Sequence, residues 1–303
     1  MASSFASFSW DNYNEIPMAT PQRSYTSNVP GMFFVDDTCI DCDLCRQIAP
    51  KVFTEESDHS IVFHQPQSNA EVKRAAMALV ACPTGSIGTR TKIDVRDAAA
   101  AFPEHLDDNV YFCGYASQDS YGAASYLIVR PEGNVLVDSP RFAKVLVQRL
   151  EALGGVSTMF LTHRDDVADH EQFHKHFGCP RIIHRADSNH IPAEQLLDGE
   201  AVVQLDKGLL AIPVPGHTRG HVVLLDREKY LFTGDHLAWS DRRGTLVAFR
   251  DVSWYSWPEQ TRSMRRLLDY RFEWVLPGHG RRAHLPADEM HQKLRDCIEW
   301  MAS

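Results

Sequence analysis

The run of apolar and polar positions changes character near residue 110. Before it, Met32–Val35 and Ile61–His64 are short apolar stretches that predict strands. Ala70–Ala81 is alanine-rich without a breaker and predicts a helix that stops at Cys82-Pro83. Residues 1–30, rich in Ser, Asn, Pro and aromatics, read as an extended leader, and 93–109 as a helical or irregular linker. Beyond 110, Ala124–Val129 and Asn134–Val137 flank a Pro-Glu-Gly turn and predict a hairpin. Phe142–Leu153 has helical spacing and ends at Gly154-Gly155. Ser157–Leu161, Arg181–His184, Leu209–Val214, Val222–Leu225 and Lys229–Phe232 predict strands, and Pro258–Tyr270 and Pro286–Met301 predict helices. This mixture predicts an α/β domain over 110–303, with mixed sheets and outer helices, behind a small compact module at 31–92.

Length and composition agree with that division. A chain of 303 residues suggests about two domains. Hydrophobic content of 44% and charged content of 23% are those of an ordinary globular protein. A formal net charge of −9 weighs against nucleic acid or an anionic membrane as partner. No run approaches the ~18 apolar residues of a spanning helix. The first thirty residues lack a basic segment followed by an apolar one, so no secretory signal is expected; Arg23 is their only basic residue. Seven cysteines, odd in number and unevenly spaced, do not form a disulfide framework. They favour a reducing compartment, the cytoplasm or an organelle such as a plastid stroma.

Four of those cysteines carry chemistry. Cys39, Cys42 and Cys45 follow C-x2-C-x2-C spacing, which lets one tight turn present three thiolates to an iron–sulfur cube, and Cys82, followed by Pro83, supplies a remote fourth. Structural zinc is the alternative, but its cysteines come as paired C-x2-C knuckles. The segments CIDCDLCRQIAPKVF and ACPTGSI resemble a single-cluster bacterial ferredoxin over residues 31–90. The resemblance implies one [4Fe-4S] cluster on Cys39, Cys42, Cys45 and Cys82. Asp36, Asp37, Asp41 and Asp43 around it predict an acidic rim, open to docking a redox partner protein.

A second set follows the strand predicted to end at Leu161. His163, Asp165, Asp166, Asp169 and His170 fall within THRDDVADH; His217 lies in GHTRGH, Asp235 in TGDH and His279 in PGHG. Each group stands at a strand end beside Gly or Pro, which permit close backbone approach. Imidazole with carboxylate suits zinc, iron or manganese. These motifs, in this order, resemble the metallo-β-lactamase superfamily across about 110–285. The resemblance implies a four-layer αββα sandwich, with His163 and His217 on one metal, Asp169, His170 and His279 on another, and Asp235 bridging. It implies a structural role for Asp138, and Asp169 as the catalytic residue that orients a metal-bound water. The sequence departs from the family's H-x-H-x-D-H pattern. Its second His is missing, Asp165 stands in that place, and two extra residues precede Asp169-His170, so which aspartate binds stays open. A carboxylate at the second position is also the pattern of the flavodiiron branch, with Asp165 one methylene shorter. Arg219 stands where many members have Pro.

Blander roles are expected elsewhere. His174 and His176 read as solvated, His221 and His236 as neighbours that orient ligands, and Cys113, Cys179 and Cys297 as buried small apolar residues. Trp254, Tyr255 and Trp257 fit either the core or a wall of the substrate pocket. Arg281 and Arg282 read as surface residues. Two enzyme functions fit the whole. With one or two Fe ions, the second site would reduce a small molecule with electrons relayed by the cluster. With Zn, it would hydrolyse an ester, thioester or lactone without needing electrons, as glyoxalase II-like members do. A non-catalytic electron-transfer or assembly partner is the third expectation.

Overall fold

A computed structural model describes residues 18–303, so most of the expected leader lies outside the described residues. Its last part is tied down. Ala19 N–H donates to the Gly85 carbonyl (2.9 Å), Tyr25 N–H to Val35 (3.0 Å) and Val29 N–H to Val62 (2.9 Å). The Tyr25 ring stacks on His59 at 3.7 Å.

The first module contains β1 (Phe33–Val35), α1 (Leu44–Ile48), β2 (Phe53–Glu56), β3 (His59–Val62), α2 (Asn69–Ala81) and β4 (Ile87–Thr89). β1 pairs with β4, and β2 with β3, both antiparallel. The predicted helix has a reason for its start. Ser68 Oγ accepts from Glu71 N–H while the Glu71 carboxylate accepts from Ser68 N–H, which satisfies two end donors reciprocally.

The expected linker is partly sheet. After α3 (Arg96–Ala99), β5 (Glu104–Asp107) joins the edge of the large sheet beside β6 (Val110–Phe112). Glu-His-Leu-Asp lacks an apolar face because an edge strand is half solvated, and so it escaped the pattern. The sheet continues through β7 (Tyr126–Ile128), β8 (Val135–Val137), β9 (Thr158–Phe160), β10 (Arg181–His184) and β11 (Gln195–Leu197), seven strands in the order β11-β10-β9-β8-β7-β6-β5. The hairpin β7–β8 forms as predicted. From β8 to β11 the strands are parallel, with α4 (Lys144–Ala152) and α5 (His170–Phe177) in the crossovers.

A second sheet of six strands runs β12 (Val203–Asp206), β13 (Leu209–Pro213), β14 (Val222–Asp226), β15 (Tyr230–Gly234), and then, after the hairpin β16 (Ala238–Ser240) and β17 (Thr245–Val247) and the helix α6 (Trp257–Met264), β18 (Trp274–Pro277) and β19 (Ala283–His284). The chain closes with α7 (Ala287–Ala302). β14 and β15 are buried at every position, because both faces of this sheet are covered. Leu224, Tyr230 and Phe232 face the first sheet, while Val223, Leu225 and Leu231 face Met264, Met290, Leu294 and Ile298 of α6 and α7. Two sheets back to back with helices outside make a four-layer αββα sandwich. Tyr126 spans the two sheets: its ring meets Phe232 at 5.5 Å and its hydroxyl donates to the Pro277 carbonyl (2.8 Å). No helix among the described residues is long and apolar enough to cross a membrane.

This topology places the site. β15 and β18 are parallel, and two antiparallel steps bring β13 into the same direction. The C-terminal ends of β13, β15 and β18 therefore share one edge, where His217, Asp235 and His279 follow, and β9 of the facing sheet delivers His163 to it.

Candidate metal centres

The four cysteines Cys39, Cys42, Cys45 and Cys82 line one small pocket, and all seven cysteines are free thiols. Asp41 and Asp43 adopt left-handed conformations (φ 56° and 64°), which curl the chain so that three thiols face inward. Burial pushes the Cys42 thiol up to about 12, with Cys82 and Cys39 adding to it, and Cys45 rises for the same reasons. Thiols gathered in one pocket, three of them raised chiefly by burial, suit a cationic cluster that takes them as thiolates. Ser60 N–H donates to Cys39 Sγ (3.4 Å). The acidic rim is paired within the chain. Buried Arg46 pairs with Asp41 (2.7 Å) and Asp43 (2.5 Å), Arg23 pairs with Asp37 (2.6 Å), and Asp36 accepts from Thr20 N–H (3.0 Å) and from Thr38.

In the second set, the structure brings together His163, Asp165, His217, Asp235 and His279. His217 Nε2 lies 3.4 Å from Asp165 and 3.6 Å from Asp235, and His163 Nε2 lies 3.9 Å and 3.8 Å from the same carboxylates. His279 Nε2 lies 4.0 Å from Asp235 and 3.7 Å from Asp166. Two groups thus share His163: one with Asp165 and His217, the other with Asp166 and Asp235.

Asp169 and His170 are not in this cluster. Asp169 precedes α5, where its carboxylate accepts from Phe142 N–H (2.7 Å) and Gln172 Nε2 (2.7 Å). His170 Nδ1 faces the Arg181 guanidinium (3.2 Å). Asp166 occupies the inner position that the sequence assigned to Asp169. The signal was available in the adjacent pair Asp165-Asp166, of which only the first was read as a ligand.

The donor atoms fit metal ions. His163 Nε2, Asp165 Oδ2, Asp166 Oδ2, both His217 ring nitrogens and Asp235 Oδ1 are buried without a hydrogen-bond partner. Buried polar atoms without partners are costly, and a cation satisfies them together. Asp138 donates nothing to the cluster directly. Its carboxylate takes Thr162 Oγ1 (3.0 Å), and that hydroxyl meets His163 Nδ1 (2.9 Å), which leaves Nε2 as the free lone pair. Asp187 is a further residue that sequence reasoning missed. It accepts from Gly220 N–H (2.7 Å), Arg164 N–H (3.3 Å) and Thr218 Oγ1, clamping the His217 turn onto the His163 loop. His221 accepts from Asp235 N–H (3.2 Å) and stacks on His163 (4.8 Å), holding both in place. Burial lowers His236 to about 3, so it is neutral. Burial opposes charge on His279, but Asp235 and Asp166 outweigh it and raise the imidazole to about 10 without metal.

The mouth of the cluster lies at Asp165, 41% exposed. Trp254, 60% exposed, stands beside His217 (6.4 Å), and Tyr121, also 60% exposed, beside His279 (6.2 Å). Trp254 thus belongs to the pocket wall, whereas Trp257 packs against Trp300 (6.1 Å). His174 and His176 are spent on the Cys179 carbonyl (2.8 Å) and Glu151 (2.9 Å).

The two centres are neighbours. A Cβ on Gly122 would fall 2.6 Å from Cys42 Cβ and 3.0 Å from Cys42 Sγ. Gln47 of α1 donates to the Gly280 carbonyl (3.0 Å), and Arg281 pairs with Asp43 (3.0 Å). Residues flanking Cys42 and Cys45 therefore touch those flanking His279.

Comparison with known proteins agrees with both parts. Residues 35–89 match the family described as the 4Fe-4S single cluster domain of Ferredoxin I, and residues 106–296 match the metallo-beta-lactamase superfamily. The hydroxyacylglutathione hydrolase of Pelagibacter ubique (strain HTCC1062) is 31% identical over 127 residues, 40% of this chain and 52% of that protein. The chain thus spans about half the length of this relative. The crystal structure of VMB-1 superposes with a TM-score of 0.52 at 18% identity, covering 66% of this chain and 97% of that one. DIM-1 metallo-beta-lactamase exposed to ceftazidime gives 0.51 at 19% identity, over 66% and 96%. Likeness at this identity shows the fold.

Proposed function

The chain belongs to the metallo-beta-lactamase superfamily and carries a single-cluster ferredoxin domain, and on that premise we propose that it is an oxidoreductase that reduces a small molecule at a first-row metal site with electrons taken from its own iron–sulfur cluster. The observation that carries this reading is adjacency: Gly122 packs on Cys42, Gln47 of α1 bonds to Gly280, and Asp43 just before α1 pairs with Arg281. Hydrolysis needs no electrons and reduction does, so a cluster site beside the metal ligands favours the redox reading. The donor set agrees, since three carboxylates with three imidazoles suit iron or manganese as well as zinc. When bound, the ions supply Lewis-acid and redox chemistry, and the cluster supplies single electrons.

The chain's own residues do the rest. His163, Asp165 and His217, with Asp235, would hold one ion, and Asp166, Asp235 and His279 the other. Asp165 stands at the mouth, where an incoming molecule first meets the site, and Trp254 and Tyr121 flank it. A bound cluster would draw its electrons from a redox partner protein, in the reducing compartment that seven free cysteines favour.

The likeness to a hydroxyacylglutathione hydrolase supports a second reading, zinc-dependent hydrolysis of a thioester, ester or lactone. Metal and sulfide analysis of protein purified without oxygen separates the two. The redox reading expects iron beyond the cluster's own and turnover that depends on cluster reduction. Zinc alone at the second site, with turnover indifferent to cluster reduction, would replace it with the hydrolase.

A further inference from the structure

We propose that the loop 117–124 is a wall common to both centres, so that occupancy of the cluster site tightens metal binding at Asp166, Asp235 and His279. The proposal rests on the assignment of the two sites, and not on the choice between reduction and hydrolysis.

On one side, this loop lies against the cluster cysteines. Gly122 (φ +84°) leaves no room for a side chain: a Cβ would stand 2.6 Å from Cys42 Cβ and 3.1 Å from Pro83 Cγ. On the other side, it holds the second metal position. The Tyr121 ring lies 6.2 Å from the His279 imidazole, whose Nε2 faces Asp166 (3.7 Å) and Asp235 (4.0 Å). Ala124 N–H donates to the Gly278 carbonyl (2.8 Å), and Gly278 in turn backs Asp166, whose Oδ2 lies 2.4 Å from where a Gly278 Cβ would stand. From Gly122 to Ala124 is two residues, at most about 7 Å of chain.

The segment between the contacts is stiff. Gly122 N–H donates to Ser117 (2.8 Å), Ala123 N–H to Ser120 (2.9 Å), and Tyr121 is left-handed (φ 49°). A shift of Cys42 therefore moves Gly122, and with it Tyr121 beside His279 and Ala124, which holds Gly278. Without a cluster, nothing joins the four thiols that line this one pocket, and the loop loses its backing. Coupling of this kind is reciprocal and is typically worth 5- to 150-fold in affinity.

Manganese reads the effect cleanly, because it prefers carboxylate and imidazole and leaves empty cysteines alone. Free Mn2+ is followed by electron paramagnetic resonance while the metal-stripped full-length chain is titrated, with its cluster reconstituted or absent. The weaker of the two manganese sites binds at least about fivefold more tightly in the cluster-loaded chain. Gly122→Ala, loaded with cluster, falls toward the cluster-free value, and Gln47→Ala, which cuts only the bond to Gly280, narrows the difference. Equal affinities within about twofold in loaded and cluster-free wild type, or weaker binding in the loaded chain, overturn the proposal. So does a difference that neither variant reduces. Manganese binding is independent of turnover, so its failure leaves the redox reading standing, and a zinc-only metal site leaves this coupling standing.

Discussion

Replacing Asp166 by Asn separates the true inner carboxylate from its neighbour Asp169. Asp166 Oδ2 is buried without a partner, and Oδ1 lies 3.7 Å from His279 Nε2. For a charge pair about 4 Å apart at an effective dielectric constant of about 20, the interaction is about 4 kcal/mol, which corresponds to roughly 1,000-fold in affinity. A divalent ion raises that figure, so Asp166→Asn is expected to weaken the second metal by at least about this factor. Without metal the effect is small, because removing the charge of Asp166 relieves its repulsion of buried Asp138 but also takes a partner from the His279 imidazole. Asp169→Ala behaves in the opposite way. It removes the hydrogen bond from Phe142 N–H to a carboxylate, a cost of about 1.5–3 kcal/mol, and keeps the full metal content. Chelator competition gives the affinities, and thermal melting with and without metal gives the stabilities. Loss of a metal from Asp169→Ala, with full retention in Asp166→Asn, would refute this assignment.

Other consequences can be checked singly. Gly278→Ala puts a Cβ 2.4 Å from Asp166 Oδ2, so metal analysis should find the second ion lost while circular dichroism stays native. Thr162→Val removes the hydroxyl between Asp138 and His163, and metal affinity at the His163 position should drop about 10- to 100-fold by chelator competition. The ion pair with Arg181 holds Glu194 down to about 2, and this stability is present above the ordinary glutamate range and lost as pH falls through that value. Glu194 is 39% exposed, so solvent screening reduces the pair's worth. Glu194→Gln should therefore cost about 1 kcal/mol in urea unfolding near pH 7, with the gap closing toward about pH 2.

The sequence was most informative where chemistry is local. C-x2-C-x2-C shows thiols on one turn, and β9, β13, β14 and β15 are mainly apolar because both faces of each sheet are covered. His163, His217, Asp235 and His279 each follow such a run, so their convergence could be expected from strand direction. The loop between His163 and α5 was another matter. It holds three aspartates, and spacing does not say which turn inward. The chain swings outward at Ala168 (φ 27°), and the start of α5 commits Asp169 to Phe142. β5 was hidden because a half-solvated edge strand carries charge. The contact of Gly122 with Cys42 joins residues from two domains, and no local pattern encodes it.

The central claim is that one molecule holds two inorganic centres with a single loop between them. Its most direct measurement is the spin relaxation of the reduced cluster, recorded with a paramagnetic ion, Co2+ or Mn2+, at the second site and again with diamagnetic Zn2+. Two centres set about one loop apart predict markedly faster relaxation with the paramagnetic ion than with zinc. Identical relaxation with all of these ions, at verified full occupancy of both sites, would contradict it.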